Sequence, residues 1–106
     1  MTQMIEVEVN CPDVETARAI GRAAVEAGLA ACANVIAGVE SVYLWQGRVE
    51  SDPEVTLRLK SRAGVFDRLC ALIGRMHPYE LPAIVALPVL AANPGYADWL
   101  ESGTRG

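Results

Sequence analysis

The chain has 106 residues and a mass of 11.3 kDa, with 52% hydrophobic and 21% charged residues. This length predicts a single domain over residues 1–106, and the hydrophobic content excludes a disordered chain. The longest apolar stretch runs only from Ala83 to Ala92 and contains Pro88, whereas a membrane-spanning helix needs about 20 residues. The net charge of −4 disfavours nucleic-acid binding, which depends on cationic surfaces.

The N-terminal third predicts a strand followed by a helix. Residues 4–9 alternate between apolar and polar side chains, which is typical of a half-buried strand. Asp13 can cap a helix that continues to about Ala27 and stops at Gly28. The inner face of this helix is made of small residues that allow close packing on a sheet, namely Ala17, Ile20, Gly21 and Ala24.

The middle of the chain predicts two strands. One runs from Leu29 to about Ile36, is interrupted at Ala37–Gly38, and continues to Gln46. Gly47 and the Ser51–Pro53 cluster predict turns, and alternation resumes over residues 54–62.

The C-terminal part predicts a helix, a strand and a short terminal helix. Apolar residues at helical spacing indicate a helix over residues 65–76, with Phe66, Leu69, Cys70 and Ile73 facing inward. Residues 77–82 cannot be helical because a residue that precedes proline is forced into extended geometry. Residues 83–90 predict a strand that is apolar on both faces, and Asn93 caps a helix that ends near Gly103.

The order of these elements predicts an α+β fold, a ferredoxin-like βαββαβ sandwich with an extra C-terminal helix. In this interpretation the first and third strands are central, parallel neighbours, and the long helices cover one face of the sheet. The other face then carries two acidic residues beside three cationic ones, which can pair across the strands: Glu6, Glu8, Arg58, Lys60 and Arg62.

Two features predict an oligomer. The second strand and its continuation, residues 29–46, exceed the usual length of 3–10 residues and must project from the domain. The last strand is apolar on both sides, although an open-faced sheet normally has one polar side. Tyr43 and Trp45 share one face of the projecting part, so we expect them to contact a neighbouring subunit rather than a ligand.

The chain has three cysteines, an odd number, and none of them form a Cys-x-x-Cys pair. The N-terminal residues, Met1 to Met4, do not have the pattern of an export signal. Reduced thiols in the cytoplasm are therefore expected. Cys11 precedes a helix N-terminus, where the dipole favours a thiolate that could ligate a soft metal; the alternative is a small buried residue at a tight corner. Cys70 is expected in the core, and Cys32 either packs or lines a cleft.

His77, the only histidine, is either a metal ligand, a hydrogen-bonding cleft residue or a helix-ending residue. Sulfur and imidazole together favour copper, so Cys11 and His77 are the candidate metal ligands, with no obligatory cofactor. Lys60 either binds an anion or pairs with Glu6 or Glu8. Glu80 either supports the turn at His77 or supplies an oxygen ligand.

Two other kinds of protein share this order of elements, but this chain lacks the residues that their functions need. An RNA-recognition module needs aromatic side chains on its central strands, and this chain has charged ones there. An acylphosphatase-like enzyme needs a phosphate-binding loop after the first strand, and residues 10–13 contain no glycine. Hydrolysis by a Cys11–His77 pair stays an alternative, but nothing in the sequence fixes these two residues as neighbours.

The chain resembles the CutA family of divalent-cation tolerance proteins over most of its length. The motifs that carry this resemblance, in order, are Cys11-Pro12-Asp13, Leu29-Ala30-Ala31-Cys32-Ala33-Asn34, Ser41-Val42-Tyr43-Leu44-Trp45-Gln46-Gly47, Glu54 through Lys60-Ser61, His77-Pro78-Tyr79-Glu80, Ala86-Leu87-Pro88-Val89 and Tyr96-Ala97-Asp98-Trp99. Their order and spacing together are highly specific.

The resemblance implies a non-enzymatic homotrimer, arranged like PII signalling proteins, with a role in copper or divalent-cation tolerance at clefts between subunits. The candidate cleft residues of this chain are Cys32, Lys60, Tyr79 and Glu80. The alternative function is a PII-like sensor that binds a small anionic metabolite through Lys60, Arg58 and backbone amides. The sequence departs from the family at Ala83, where a glutamate is usual, and this weakens a site for hard cations.

Overall fold

The computed structural model describes residues 3–106, so Met1 and Thr2, part of the stretch in which no export signal is expected, lie outside it. Its strands are β1 (Met4–Cys11), β2 (Cys32–Trp45), β3 (Arg48–Arg62) and β4 (Ile84–Pro88). Its helices are α1 (Val14–Glu26), α2 (Phe66–Met76) and α3 (Pro94–Gly103), and a 3₁₀ turn over Ala63–Val65 precedes α2. The predicted α+β order and the terminal helix are confirmed.

The four strands form one sheet in the order β2-β3-β1-β4, and every neighbouring pair is antiparallel. The first and third strands are therefore central, as predicted, but the expectation that they run parallel is wrong. The helical crossover through α1 makes β1 parallel to β2, and a tight turn at Gln46–Gly47 reverses the chain into β3. Because β3 lies between β1 and β2, it runs antiparallel to both.

Strand boundaries differ from the prediction where local composition misleads. The strand β2 begins at Cys32 rather than Leu29, and β4 is shorter than residues 83–90. The Ser51–Pro53 cluster is not a turn, because it pairs with Glu40–Val42 of β2 inside the hairpin. Proline is tolerated there because this part of β3 has a partner strand on one side only.

The hydrophobic core lies between one face of the sheet and the helices α1 and α2. Alternate residues of β1 and β3 supply the sheet side, and the predicted inner face of α1 is fully buried. Gly21 allows the close approach of α1, since an added Cβ would lie 3.0 Å from the Cβ of Ala33. The largest buried hydrophobic side chains are Ile20, Leu57, Leu59, Leu69, Ile73 and Leu100.

The hairpin formed by residues 39–54, here called the arm, projects beyond this core. Pairing between β1 and β3 ends at Cys11 and Val55, and beyond that point the two strands of the arm pair only with each other. The molecule consequently measures 45 Å along its longest axis and 25 and 22 Å along the others. A bulge at residues 37–38, where Gly38 has a φ of 85°, marks the base of the arm as the sequence predicted.

The opposite face of the sheet carries the predicted ion pairs. Lys60 contacts Glu6 at 3.1 Å, and Arg58 contacts Glu8 at 3.3 Å. Arg62 instead donates a hydrogen bond to the backbone carbonyl of Thr104, just after α3. This contact helps to hold the terminal helix against the end of the sheet.

Candidate functional site

The structure brings the two predicted metal ligands to one corner, where β1 ends and α2 stops. The ring of His77 is buried, and its Nε2 donates to the backbone carbonyl of Asn10 at 2.8 Å. Its Nδ1 accepts the backbone N–H of Tyr79 at 3.1 Å. These partners assign a neutral imidazole with the proton on Nε2, and both ring nitrogens are occupied by hydrogen bonds.

Cys11 lies beside Asn10 in this corner, but it is fully buried. Burial, followed by the negative charges of Asp13 and Glu54, raises the pKa of the Cys11 thiol to about 11. The expectation of a thiolate favoured by the helix dipole is therefore wrong, because desolvation outweighs the dipole. In the isolated subunit, Cys11 is therefore a buried, neutral thiol. It is not a preformed metal ligand.

Two tyrosine–carboxylate pairs lie next to the corner. The hydroxyl of Tyr79 donates to a carboxylate oxygen of Glu54 at 2.9 Å, and the hydroxyl of Tyr43 donates to Asp52 within the arm. Burial and then the Glu54 hydrogen bond raise the pKa of Tyr79 to about 12, so that it remains a donor at neutral pH. Sequence reasoning missed Glu54 and Asp52, because only the register of the arm brings them to these tyrosines.

Of the remaining predicted cleft residues, Cys32 and Lys60 lie apart from this corner, whereas Glu80 follows Tyr79 in the same loop. Cys32 and Lys60 face each other across β2 and β3, and Lys60 pairs with Glu6 rather than standing free for an anion. The Sγ of Cys32 lies 3.5 Å from the hydroxyl of Tyr96 on α3. Glu80 and Ala83 are exposed. One subunit therefore does not gather Cys32, Lys60, Tyr79 and Glu80 into a single cleft.

A second concave region, an open groove of about 690 Å³, runs between α1 and β2. Its lining includes Cys32, Ala33 and Val35 of β2 and Trp99 of α3. Arg18 and Arg22 of α1 also line it. The sequence identified Trp99 only as part of the last CutA-like motif and predicted no role for it. Its position against β2 depends on the long-range packing of α3.

Among residues 3–106, no three His, Cys, Asp or Glu side chains are grouped so that they could hold a metal ion. None of the helices in this range is long and apolar enough to cross a membrane. Cation binding by one described subunit would therefore have to use fewer protein ligands than a closed four-coordinate site offers.

The predicted anchors Tyr43 and Trp45 lie on the same face of the arm, as their alternation indicated, and Trp45 is 61% exposed. The opposite face of the arm carries Val42, Leu44 and Val49, which are 65%, 70% and 75% exposed. Apolar side chains are thus exposed on both faces of the hairpin. Their role as subunit contacts stays a prediction.

Comparison with known proteins gives a consistent set of relatives. A family model described as CutA1 divalent ion tolerance protein matches residues 5–103. The divalent-cation tolerance protein CutA of Thermus thermophilus is 43% identical over 98 residues, which cover 92% of this chain and 95% of that protein. The chloroplastic protein CutA of Arabidopsis thaliana is 37% identical, and the match covers 95% of this chain but only 56% of the longer relative.

The fold agrees with these sequence matches. The crystal structure of CutA1 from Oryza sativa superposes with a TM-score of 0.94 at 36% identity, covering 97% of this chain and 94% of that one. The family model spans nearly all of the described residues, and the superposition covers 97% of this chain. On these grounds the chain belongs to the CutA1 family of divalent ion tolerance proteins.

Proposed function

We propose that this protein is a non-enzymatic homotrimer that acts in divalent-cation tolerance in the cytoplasm and binds cations weakly at clefts between subunits. The relatives' names describe tolerance to divalent cations and no catalysed reaction. The three cysteines form no disulfide, which suits a reducing compartment.

The observation that carries the proposal is the exposed arm. A two-stranded hairpin is marginally stable in water by itself, and apolar surface exposed on both of its faces marks a protein interface. The sheet also has two unlike free edges, β2 and β4. Head-to-tail contact between unlike surfaces of identical copies gives a ring when the rotation between copies closes, and a ring of three agrees with the resemblance described above.

The state of the corner supports weak rather than tight binding for the copper that we propose at this pair. To ligate copper, Cys11 must lose a proton from a thiol whose pKa is raised to about 11. His77 must give up the hydrogen bond from Tyr79 to free Nδ1. Both costs reduce the affinity, so a neighbouring subunit has to supply further ligands if copper binds at this pair.

The PII-like alternative needs free cationic groups for an anionic metabolite. Lys60 and Arg58 are already paired with Glu6 and Glu8 of the neighbouring strand. An anion would therefore have to compete with carboxylates that the sheet itself holds in place. These ion pairs favour the cation-tolerance proposal over the metabolite sensor.

Native mass spectrometry tests the assembly. We expect a species of about 34 kDa, three times the 11.3 kDa chain, at micromolar concentration. A monomer near 11.3 kDa under these conditions would contradict the trimer and the inter-subunit cleft together.

Calorimetric titration with copper tests the ligands, with Cys11→Ser and His77→Ala studied separately and magnesium as the comparison ion. We expect weak copper binding that each variant reduces, and no tighter binding of magnesium. Unchanged copper affinity in both variants would remove this pair from the site. Stronger binding of magnesium would show that oxygen ligands, rather than sulfur and nitrogen, hold the ion.

A further inference from the structure

The arm is joined to the body of the protein at a point where its own backbone ladder is interrupted. The bulge at residues 37–38 breaks the register of β2, and Pro53 lacks an N–H in β3. The central strand β1 gives no support beyond Val55. Because the ladder is weakened here, the angle between body and arm at this junction, here called the hinge, depends on other contacts that cross it.

One described contact crosses this hinge from a distant part of the chain. Glu54, which lies between Pro53 and Val55, accepts a hydrogen bond from Tyr79 of the loop between α2 and β4. Tyr79 is in turn held by His77, through the hydrogen bond to its backbone N–H and through ring contact at a centroid distance of 4.7 Å. His77 is anchored to the end of β1, because its Nε2 donates to the backbone carbonyl of Asn10.

We propose that Tyr79 is a clamp that sets the direction of the arm and that His77 is its positioning residue. The series of contacts runs from Asn10 on the rigid central strand, through His77 and Tyr79, to Glu54 at the foot of the arm. The clamp belongs to one subunit. Its consequence for assembly, that it aims the apolar faces of the arm at a neighbour, rests on the proposed trimer.

The chain provides a matched control for this clamp. Tyr43 donates the same kind of hydrogen bond to Asp52, but both residues belong to the arm. Tyr43→Phe therefore removes a phenol–carboxylate bond without touching the hinge. Tyr79→Phe removes the bond that crosses the hinge and keeps the ring that packs on His77.

Amide hydrogen exchange of the full-length protein, read by mass spectrometry on peptides from residues 36–42 and 49–56, measures the freedom of the hinge. We expect Tyr79→Phe to speed exchange in these peptides about 3- to 10-fold, the size expected for one lost hydrogen bond that opens a local unit. Exchange in α1 should be unchanged, which also shows that the variant folds. Tyr43→Phe should leave exchange at the hinge as in the wild type.

Variants of the acceptor test the same contact from the other side. Glu54→Ala should reproduce the effect of Tyr79→Phe, whereas Glu54→Gln keeps an acceptor oxygen and should restore slow exchange. His77→Ala should act like Tyr79→Phe. Faster exchange at the hinge with unchanged exchange in α1 indicates a positioning role for His77, whereas faster exchange in both indicates general loosening of the fold. Unchanged hinge exchange in Tyr79→Phe, or equal acceleration by Tyr43→Phe, would overturn the clamp.

Native mass spectra of the same samples separate this proposal from the proposed function. A monomeric wild type with a faster hinge in Tyr79→Phe would uphold the clamp and refute the trimer. A trimeric wild type whose hinge peptides do not respond to Tyr79→Phe would do the reverse.

Discussion

The strands β2 and β3 build two regions that differ in what their apolar side chains do. In the body, Leu57 and Leu59 of β3 are completely buried against the helices. In the arm, Val49 of the same strand is 75% exposed, and Leu44 of β2 is 70% exposed. Residues of one chemical type in the same two strands thus stabilise the subunit at one end and form an unpartnered surface at the other.

The sharpest test of this difference replaces one leucine in each region. Leu57→Ala should lower the free energy of unfolding by about 3 kcal/mol, because it leaves a cavity in a closely packed core. Leu44→Ala, the matched control, should leave a folded subunit and weaken only its association. Urea unfolding followed by circular dichroism, with size-exclusion chromatography at falling protein concentration, measures both effects.

The contrast between body and arm is refuted if the two leucine variants behave alike. Equal losses of subunit stability would mean that the arm contributes to the fold of one chain. A Leu44→Ala protein that assembles like the wild type would mean that this face of the arm is not an interface.

Trp45→Ala tests the other face of the arm. We expect a loss of roughly 2 kcal/mol or more per interface, since large aromatic side chains dominate the energetics of protein interfaces. Analytical ultracentrifugation measures the change in the association constant. A variant that assembles normally but binds a ligand less well would assign Trp45 to a binding site instead.

The corner at the foot of the arm should respond to alkaline pH through Cys11. Its pKa is raised from 9.0 to about 11, so between these values the unfolded chain loses the thiol proton while the folded protein keeps it. This contribution to stability is therefore fully present below pH 9 and falls as the pH rises through 11, by no more than about 3 kcal/mol. Unfolding of the wild type and Cys11→Ala over this range should show a smaller decrease in the variant. Parallel curves would mean that the thiol is not desolvated.

The smallest expected effect lies in the body, at the N-cap of α1. The Asp13 carboxylate accepts the N–H of Thr16 at 2.7 Å, which holds the pKa of Asp13 below 3.8. The stabilisation is present above pH 3.8 and is lost as the pH falls through the lower folded value. Asp13→Asn keeps a capping oxygen that does not titrate, so its melting temperature should fall less steeply than that of the wild type under acid conditions. An identical acid dependence would contradict the role of Asp13.

Periodicity predicted the parts of the fold that depend on one face being buried. The alternation in β1 and the small residues of α1 identified the core side of both elements, because burial on one side imposes that pattern directly. The Ser51–Pro53 cluster was misread because its composition favours a turn locally, while cross-strand pairing with β2 holds it extended. Tertiary pairing outweighed local preference there.

The candidate site was less predictable because its contacts join distant parts of the chain. His77 was identified by type, but its partner at Asn10 depends on where α2 ends beside β1. Glu54 gained its role only from the register of the arm. The ionisation of Cys11 was predicted from the helix dipole alone, and the depth of burial that reverses it cannot be read from neighbouring residues.

The position of β1 in the middle of the sheet has a consequence for synthesis on the ribosome. This strand is synthesised before both of its neighbours, β3 and β4, and Val9 pairs with Leu57 on one side and Ile84 on the other. Closing contacts between such distant segments is slow, because the chain between them must first be ordered. A nascent chain therefore exposes one edge of its central strand to other proteins until translation has passed Pro88.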